Sequence, residues 1–207
     1  MRKTSQKIIA VVVTLLLQSS FSLALFGQST SSYEVLFDGK SLEKWCPKNA
    51  PTSAIKGWKI EDGTLFMDGK GGGDIITKEK YSDFELVFEF NLTENANSGI
   101  KYFVDTIYNE KTGNMMVNGP EYQIIDDYNY KGVKDDPNGT TSTGAAYLFY
   151  PPKNKELKPH GSWNQGKIVA KGKKVSHYLN GQKLVSYTRG NKDFMKKKSK
   201  NKFKDDK

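Results

Sequence analysis

The stretch 121–127 carries the residues best suited to acid–base chemistry. It reads Glu-Tyr-Gln-Ile-Ile-Asp-Asp, and on a regular strand the side chains of Glu121 and Gln123 share one face. Two carboxyl groups a few residues apart can divide the roles of general acid and general base, which makes Glu121 and Asp126 the candidate catalytic pair. Asp126 joins the face of Glu121 only if a β-bulge intervenes. The alternative interpretation is a strand end with exposed acids.

Several other residues have side chains that suit sugar hydroxyls. Asn97 lies in a polar turn, and Lys101 follows it on an amphipathic strand. His160 lies in a loop, and Trp163 begins a strand, where its ring could stack on a sugar. An ordinary turn, a loop histidine and a core tryptophan are the competing interpretations. His177 lies within a strand, which favours a structural hydrogen-bonding role.

The sequence offers no strong metal site. The single cysteine, Cys46, excludes a disulfide framework and a Cys-based zinc site, and we expect it to be buried. Four acids, Asp126, Asp127, Asp135 and Asp136, could hold calcium, but they fit no strict ligand spacing. We therefore expect no cofactor.

Short strands must position these residues. Period-two alternation predicts a half-buried strand over 83–92, and Asp62-Gly63 predicts the turn of a hairpin over 58–67. A three-stranded meander is predicted over 167–187. The remaining expectations are strands at 99–105, 121–126 and 144–150, and loops at 109–119, 128–143 and 151–162. About ten short strands separated by turns predict an all-β sandwich or barrel, and charged outer faces favour the sandwich.

The net charge of +9 does not lie on the predicted domain. Residues 189–207 hold nine basic and three acidic residues, and residues 1–26 hold three basic residues and no acid. Residues 27–188 hold equal numbers of each. A nucleic-acid-binding protein carries its positive charge on the folded surface, so this distribution argues against nucleic-acid binding.

The first residues predict export. Residues 1–24 combine a basic start, an apolar run and a small-x-small ending, which is typical of a cleaved signal peptide. An uncleaved membrane anchor is the alternative, but the apolar run is short for a membrane span. We expect a periplasmic or secreted protein, with a linker at 25–33, a β-sandwich at 34–188 and a basic loop or tail at 189–207.

A series of short motifs resembles a known family. In chain order they are Leu36-Phe37-Asp38-Gly39-Lys40-Ser41-Leu42, Trp58-x-x-x-Asp62-Gly63-x-Leu65, Tyr81-Ser82-Asp83-Phe84-Glu85-Leu86, Asn97-Ser98-Gly99-Ile100, Pro120-Glu121-Tyr122-Gln123-Ile124-Ile125-Asp126, Thr143-Gly144-Ala145-x-Tyr147, Trp163-Asn164 and His177-Tyr178-Leu179-Asn180-Gly181. Each motif is weak alone, but together they resemble the bacterial 3-keto-disaccharide hydrolase family over about residues 34–188.

The resemblance implies a concanavalin A-like jelly-roll sandwich and a role in exported saccharide breakdown. A partner oxidoreductase, a sugar 3-dehydrogenase, would first make a ketone at carbon 3. Glu121 would then act as general base or acid with Asp126, and Gln123 and Lys101 would polarise or position the ketone oxygen. Direct hydrolysis by two carboxylates is an alternative mechanism, and a non-catalytic carbohydrate-binding module or an adhesion domain is an alternative function.

One departure from the family pattern concerns the end of the chain. Family members continue past the basic segment into a closing strand with Gln-Asp-His-Gly and Phe-Arg-Asn-Ile, which this sequence lacks. We therefore expect a fragment whose sandwich lacks its last strand or strands; the alternative is a sandwich with an open edge.

Overall fold

A computed structural model describes residues 33–67 and 72–206. Its strands are β1 (Trp45–Pro47), β2 (Trp58–Glu61), β3 (Thr64–Met67), β4 (Ile75–Thr77), β5 (Phe84–Asn91), β6 (Asn97–Lys101), β7 (Asp105–Asn109), β8 (Asn114–Asn118), β9 (Glu121–Ile125), β10 (Trp163–Lys171), β11 (Lys174–Leu179) and β12 (Gln182–Thr188). Its helices are α1 (Lys131–Lys134) and α2 (Lys192–Lys198). The expected signal peptide and nearly all of the expected linker lie outside the described residues.

One layer is a four-stranded antiparallel sheet in the order β12-β11-β10-β5. Alternation places the apolar residues of these strands on one face, and Phe88, Ile168 and Val175 are fully buried there. The turn between β11 and β12 is Asn180-Gly181, and both residues have positive φ, as a tight hairpin requires. The strand predicted over 83–92 and the meander are confirmed.

The second layer is built around the antiparallel pair of β6 and β9. The segment after residue 142 runs beside β9, because Gln123 N–H donates to Ala145 O at 3.1 Å and Tyr147 N–H donates to Glu121 O at 3.0 Å. The ring of Tyr122 projects from β9 into the core and meets Phe88 edge-on at 5.2 Å. Side chains from both layers thus form one hydrophobic core, and the predicted all-β sandwich is confirmed.

The core also contains a polar network centred on His177. The Nδ1 of His177 lies 3.0 Å from Gly144 O, and its Nε2 lies 2.8 Å from the hydroxyl of Tyr102. The hydroxyls of Tyr102 and Tyr187 are 2.8 Å apart. The predicted structural role of His177 is confirmed, as is the burial of Cys46.

Four segments differ from the sequence-based expectation. The strand expected at 99–105 is interrupted, because β6 ends at Lys101 and β7 begins at Asp105. The loop expected at 109–119 is instead the second half of the β7–β8 hairpin, whose turn contains Gly113 with positive φ. The strand expected over 144–150 forms only isolated bridges, at Ala146. Helix α1 interrupts the loop expected at 128–143.

The basic segment, expected as a loop or tail, packs against the sandwich. Helix α2 begins at Lys192 with Asn191 as its cap, and Phe194 stacks on Phe149 at 4.5 Å. Phe203 stacks on the same ring at 6.1 Å. Two aromatic residues in an otherwise charged segment thus anchor it to the core. Neither helix of the described residues is long and apolar enough to cross a membrane.

Candidate functional site

Strands β6 and β9 place the predicted polar residues on one face. Their regular register pairs Lys101 with Glu121, Gly99 with Gln123, and Asn97 with Ile125. Directly opposed residues of an antiparallel pair project to the same side, so all six share the face that points away from the core. Four of the sequence-predicted residues therefore lie on a single surface: Glu121, Gln123, Lys101 and Asn97.

Gly99 leaves the space that the carboxyl group of Glu121 occupies. A Cβ atom at residue 99 would lie 2.1 Å from Glu121 Oε1. No side chain can be accommodated at that distance without displacing the carboxyl group. Glycine at this position thus fixes where the Glu121 side chain lies.

Glu121 lies in the wall of a cavity of about 350 Å³. That volume is at the small end of the usual range for ligand pockets, about 300–1,000 Å³. The other residues of the wall come from distant parts of the chain: Lys48, Lys101, Asn109, Met116, Val117, Asn118, Lys202, Phe203 and Asp206. The hairpin β7–β8 and the segment after α2 therefore complete a pocket whose floor is β9.

Three lysines line the pocket of Glu121, and two of them already have a partner. Lys48 and Lys101 lie 2.5 and 3.5 Å from the same carboxylate oxygen of Asp74. Burial opposes the ionisation of Asp74, but the hydrogen bond from Lys48 and the charge of Lys101 outweigh it and hold its pKa below the ordinary value. Asp74 thus neutralises part of the positive charge beside Glu121.

The environment raises the pKa of Glu121 above that of an ordinary glutamate. Burial of the carboxyl group is the main cause, and the charge of Asp74 adds to it. Lys101 and Lys202 act in the opposite direction without cancelling the effect. A carboxylate with a raised pKa is a stronger base than an exposed one, so Glu121 suits proton transfer.

The pocket wall also holds an unpaired hydrogen-bond acceptor. Among the described residues, Asn118 Oδ1 is a buried side-chain oxygen without a hydrogen-bond partner. Buried polar atoms are rarely left unpaired, and a ligand hydroxyl could donate to this one. No sequence pattern points to Asn118, because it lies in the stretch expected to be a loop.

Asp126 is not brought together with Glu121. The register of β9 shows no bulge, so Asp126 falls out of phase with Glu121 and lies beyond the far end of the strand. At about 3.4 Å per residue the two Cα atoms are about 17 Å apart. Paired glycosidase carboxyl groups lie only ~5–9.5 Å apart across one bond, and Asp126 is not among the residues that line the cavity of Glu121. The two residues therefore do not form the expected acid–base pair.

Asp126 instead holds His160 and the chain around it. Its carboxylate is fully buried and accepts hydrogen bonds from the backbone N–H groups of Asn95, Tyr128 and Asn129. His160 Nε2 lies 2.8 Å from Asp126 Oδ1. Burial opposes ionisation of Asp126, but these hydrogen bonds outweigh it and lower its pKa below the ordinary value. An ionised Asp126 therefore orients the imidazole of His160, which is partly exposed.

Gln123 and Trp163 lie where neither can contact a ligand in the pocket of Glu121 directly. Gln123 is only 3% exposed, and its side-chain amide donates to Asn97 Oδ1 at 3.2 Å, so it orients Asn97. Trp163, Gln165 and Lys167 are two residues apart along β10, so their side chains share its outward face. It thus projects from the four-stranded sheet, on the opposite side of the sandwich from Glu121.

No group of three or more His, Cys, Asp or Glu side chains in residues 33–67 and 72–206 is arranged to hold a metal ion. The acids considered for calcium have protein partners: Asp127 contacts Lys155, and Asp136 accepts from the backbone of Thr141. Both carboxylates therefore act within the loop that follows β9.

Comparison with known proteins supports the family resemblance. Residues 32–205 match the family of the 3-keto-alpha-glucoside-1,2-lyase-like domain. The 3-keto-disaccharide hydrolase of Bacteroides thetaiotaomicron is 30% identical over 169 residues, which are 75% of this chain and 58% of that protein. The chain thus spans less than two thirds of the length of this curated relative.

Two crystal structures share the fold, and both are of proteins from Parabacteroides distasonis described as a putative glycosyl hydrolase. The first is 33% identical with a TM-score of 0.70, and the match covers 82% of this chain and 78% of that one. The second is 27% identical with a TM-score of 0.55, covering 73% and 70%.

Proposed function

Since the chain belongs to the 3-keto-alpha-glucoside-1,2-lyase-like family, we propose that it cleaves 3-keto-disaccharides or related glycosides, with Glu121 transferring the proton. The observation that carries this proposal is the setting of the Glu121 carboxyl group. It is partly buried in a pocket of about 350 Å³, beside lysines, with its pKa raised by burial. Acid–base catalysis requires a group of this kind within reach of the substrate.

The chemistry begins at carbon 2 of a 3-keto sugar. The neighbouring ketone acidifies the C2–H bond, and the Glu121 carboxylate takes the proton. The electron pair of that bond forms a C2=C3 double bond, and the negative charge moves to the ketone oxygen. A nearby positive charge stabilises this enolate.

Cleavage follows when the ketone re-forms. The electron pair then forms a C1=C2 double bond, and the bond from carbon 1 to the leaving oxygen breaks. The leaving oxygen takes a proton, which Glu121 can return because its pKa is raised. Water then adds at carbon 1 and a proton at carbon 2, so the net reaction is hydrolysis. One carboxyl group suffices for both proton transfers, which accounts for a site without Asp126.

The remaining polar groups of the face bind the substrate in this proposal. Lys101 lies directly opposite Glu121, and Asn118 offers an unpaired acceptor to a sugar hydroxyl. Asn97, held by Gln123, lies farther along the same face. His160 is held by Asp126 beyond the far end of β9, so this pair is not among the residues of the pocket wall. A few fixed polar groups around a pocket are typical of a sugar site.

We place the reaction outside the cytoplasm, on the basis of the signal-peptide pattern in residues 1–24. A ketone at carbon 3 must be introduced by an oxidoreductase acting on the sugar before this enzyme can work. We therefore propose a sugar 3-dehydrogenase as the functional partner, with no need for a stable complex between the two.

Sugar release from a purified 3-keto-disaccharide tests the proposal. The wild type should release sugar, and Glu121→Gln should lower kcat by about 100-fold or more, the usual contribution of a general acid–base group. Glu89→Gln is the matched control, since Glu89 is a partly exposed strand residue that pairs across from Gln165 on the other sheet. It should keep wild-type turnover.

Two results would contradict the proposal. Unchanged turnover by Glu121→Gln would remove Glu121 from the reaction. Binding of the intact keto-disaccharide by the wild type without any cleavage would instead favour a carbohydrate-binding module.

A further inference from the structure

The segment after α2 supplies a charged residue to the pocket of Glu121. Asn201 donates to Leu148 O at 3.3 Å, and Phe203 stacks on Phe149, so residues on both sides of Lys202 are anchored to the sandwich. Lys202 itself lines the cavity that contains Glu121. The pocket is therefore closed on this side by the segment that the sequence predicts to be a solvated loop or tail.

The ammonium group of Lys202 is held by an aromatic residue rather than by a carboxylate. It lies 3.3 Å from the hydroxyl of Tyr147 and 4.6 Å from the centre of that ring. It also lies 5.1 Å from the ring centre of Phe203. Lys202 is exposed, as Lys204 is, and cation–π contacts of this kind orient its side chain without neutralising its charge.

Lys202 differs in this respect from the other two lysines of the pocket. Lys48 and Lys101 share the carboxylate of Asp74, whereas Lys202 forms no ion pair with any carboxylate among the described residues. The charge of Lys202 acts on the Glu121 carboxyl group, because it opposes the rise in the pKa of Glu121. Lys202 thus supplies positive charge that is not held in an ion pair with a described carboxylate; Asp206, the other carboxylate of the pocket wall, accepts a hydrogen bond from Asn109 Nδ2 instead.

We infer that Lys202 binds the ketone oxygen of the substrate and stabilises the negative charge that develops there, with Tyr147 as the residue that positions it. The inference rests on the proposed function. When Glu121 takes the proton from carbon 2, the electron pair moves toward the ketone oxygen, and a fixed N–H donor at that oxygen lowers the barrier. Lys101 is less suited to this role because Asp74 already shares its charge.

Turnover of a 3-keto-disaccharide by three variants tests the inference. Lys202→Met keeps the length of the side chain and removes its charge, and it should lower kcat/KM by about 100-fold, with most of the loss in kcat. Lys202→Arg should retain most of the activity, since it keeps the charge. Lys204→Met is the matched control: Lys204 is exposed two residues away, and this variant should stay within about twofold of the wild type.

The pH dependence separates an electrostatic role from a structural one. Loss of the Lys202 charge should raise the pKa of Glu121 further, so the acidic limb of the kcat/KM profile should move to higher pH in Lys202→Met. Lys204→Met should leave the limb in place. A loss caused only by disturbed folding would not move the limb in this direction.

The possible outcomes separate this inference from the proposed function. If the wild type cleaves the keto-disaccharide and Lys202→Met cleaves it as fast as Lys204→Met, the role of Lys202 is refuted and the proposed function stands. If the wild type does not cleave it, the proposed function is refuted and this inference with it.

Discussion

Acidification should destabilise the fold through His177. The imidazole is completely buried, and its Nδ1 must carry the proton because its neighbour at 3.0 Å is the carbonyl oxygen of Gly144. Nε2 then accepts from the hydroxyl of Tyr102. The neutral ring is satisfied on both sides, so a second proton adds a charge that the core does not solvate.

The magnitude follows from the pKa of His177. Burial is the main cause that lowers it from 6.5 to about 4 in the folded protein. Between pH 6.5 and 4 the imidazole of His177 therefore binds a proton in the unfolded chain but not in the folded one. Its contribution to the free energy of unfolding is fully present above pH 6.5 and is lost as the pH falls toward 4. At 1.36 kcal/mol per unit the full loss is about 3 kcal/mol, of which about 1 kcal/mol falls between pH 7 and 5.5.

A variant makes the measurement specific. The chain has two histidines, so His160→Gln leaves His177 as the sole imidazole. In this background we expect the NMR signal of His177 to stay neutral down to about pH 4, and urea unfolding to show a loss of about 1 kcal/mol between pH 7 and 5.5. Titration of the folded protein near pH 6.5, or a free energy of unfolding that is flat over this interval, would refute the reasoning.

Three substitutions test other parts of the account. Gly99→Ala should displace the Glu121 carboxyl group and lower kcat at least about tenfold, while urea unfolding changes by less than about 1 kcal/mol; equal activity would contradict the close approach. Asp126→Asn places an amide N–H against backbone N–H donors, so it should lower the free energy of unfolding in urea by about 2 kcal/mol. An unchanged urea midpoint would contradict this. Phe194→Ala removes the ring that anchors α2 and should cost about 3 kcal/mol, whereas wild-type stability would mean that α2 is loosely held.

The sequence predicts most of the sandwich because its signals are local. Strand β5 and the hairpin β2–β3 follow from alternation and from the Asp62-Gly63 turn, whose residues both have positive φ. The hairpin β7–β8 escapes this signal because each strand carries its apolar residues in succession, Ile107-Tyr108 in β7 and Met115-Met116-Val117 in β8, so alternation is weak there. The strand expected over 144–150 has the right composition, but in the described structure only Ala146 and Tyr150 of this segment form isolated bridges.

Only part of the candidate site can be predicted, because the sequence signals are local. Alternation places Glu121 and Gln123 on one face of β9, but only the observed pairing of β6 with β9 brings Lys101 and Asn97 to the same face. The expected pair with Asp126 needed a bulge, and the regular register of β9 excludes it. Trp163 shares its phase with charged neighbours on β10, a signal that already pointed to an outer face.

Residues that come from far along the chain could not be assigned from the sequence. Lys48 follows β1 and Lys202 follows α2, and only the folded chain brings both into the wall of the pocket that contains Glu121. One local signal was present: Phe194 and Phe203 are apolar rings in a charged stretch, and such residues indicate docking rather than a solvated tail.

The fate of the hydrogen at carbon 2 tests the central claim most directly. A 3-keto-disaccharide deuterated at carbon 2 of the keto sugar can be cleaved in ordinary water. The deuterium content of the released 3-keto sugar is then measured by mass spectrometry and compared with an enzyme-free control. We predict that the wild type loses the label in step with turnover, and that Glu121→Gln slows label loss and sugar release together. Release of a 3-keto sugar that keeps its deuterium, or loss of deuterium by Glu121→Gln at the wild-type rate, would contradict proton removal by Glu121.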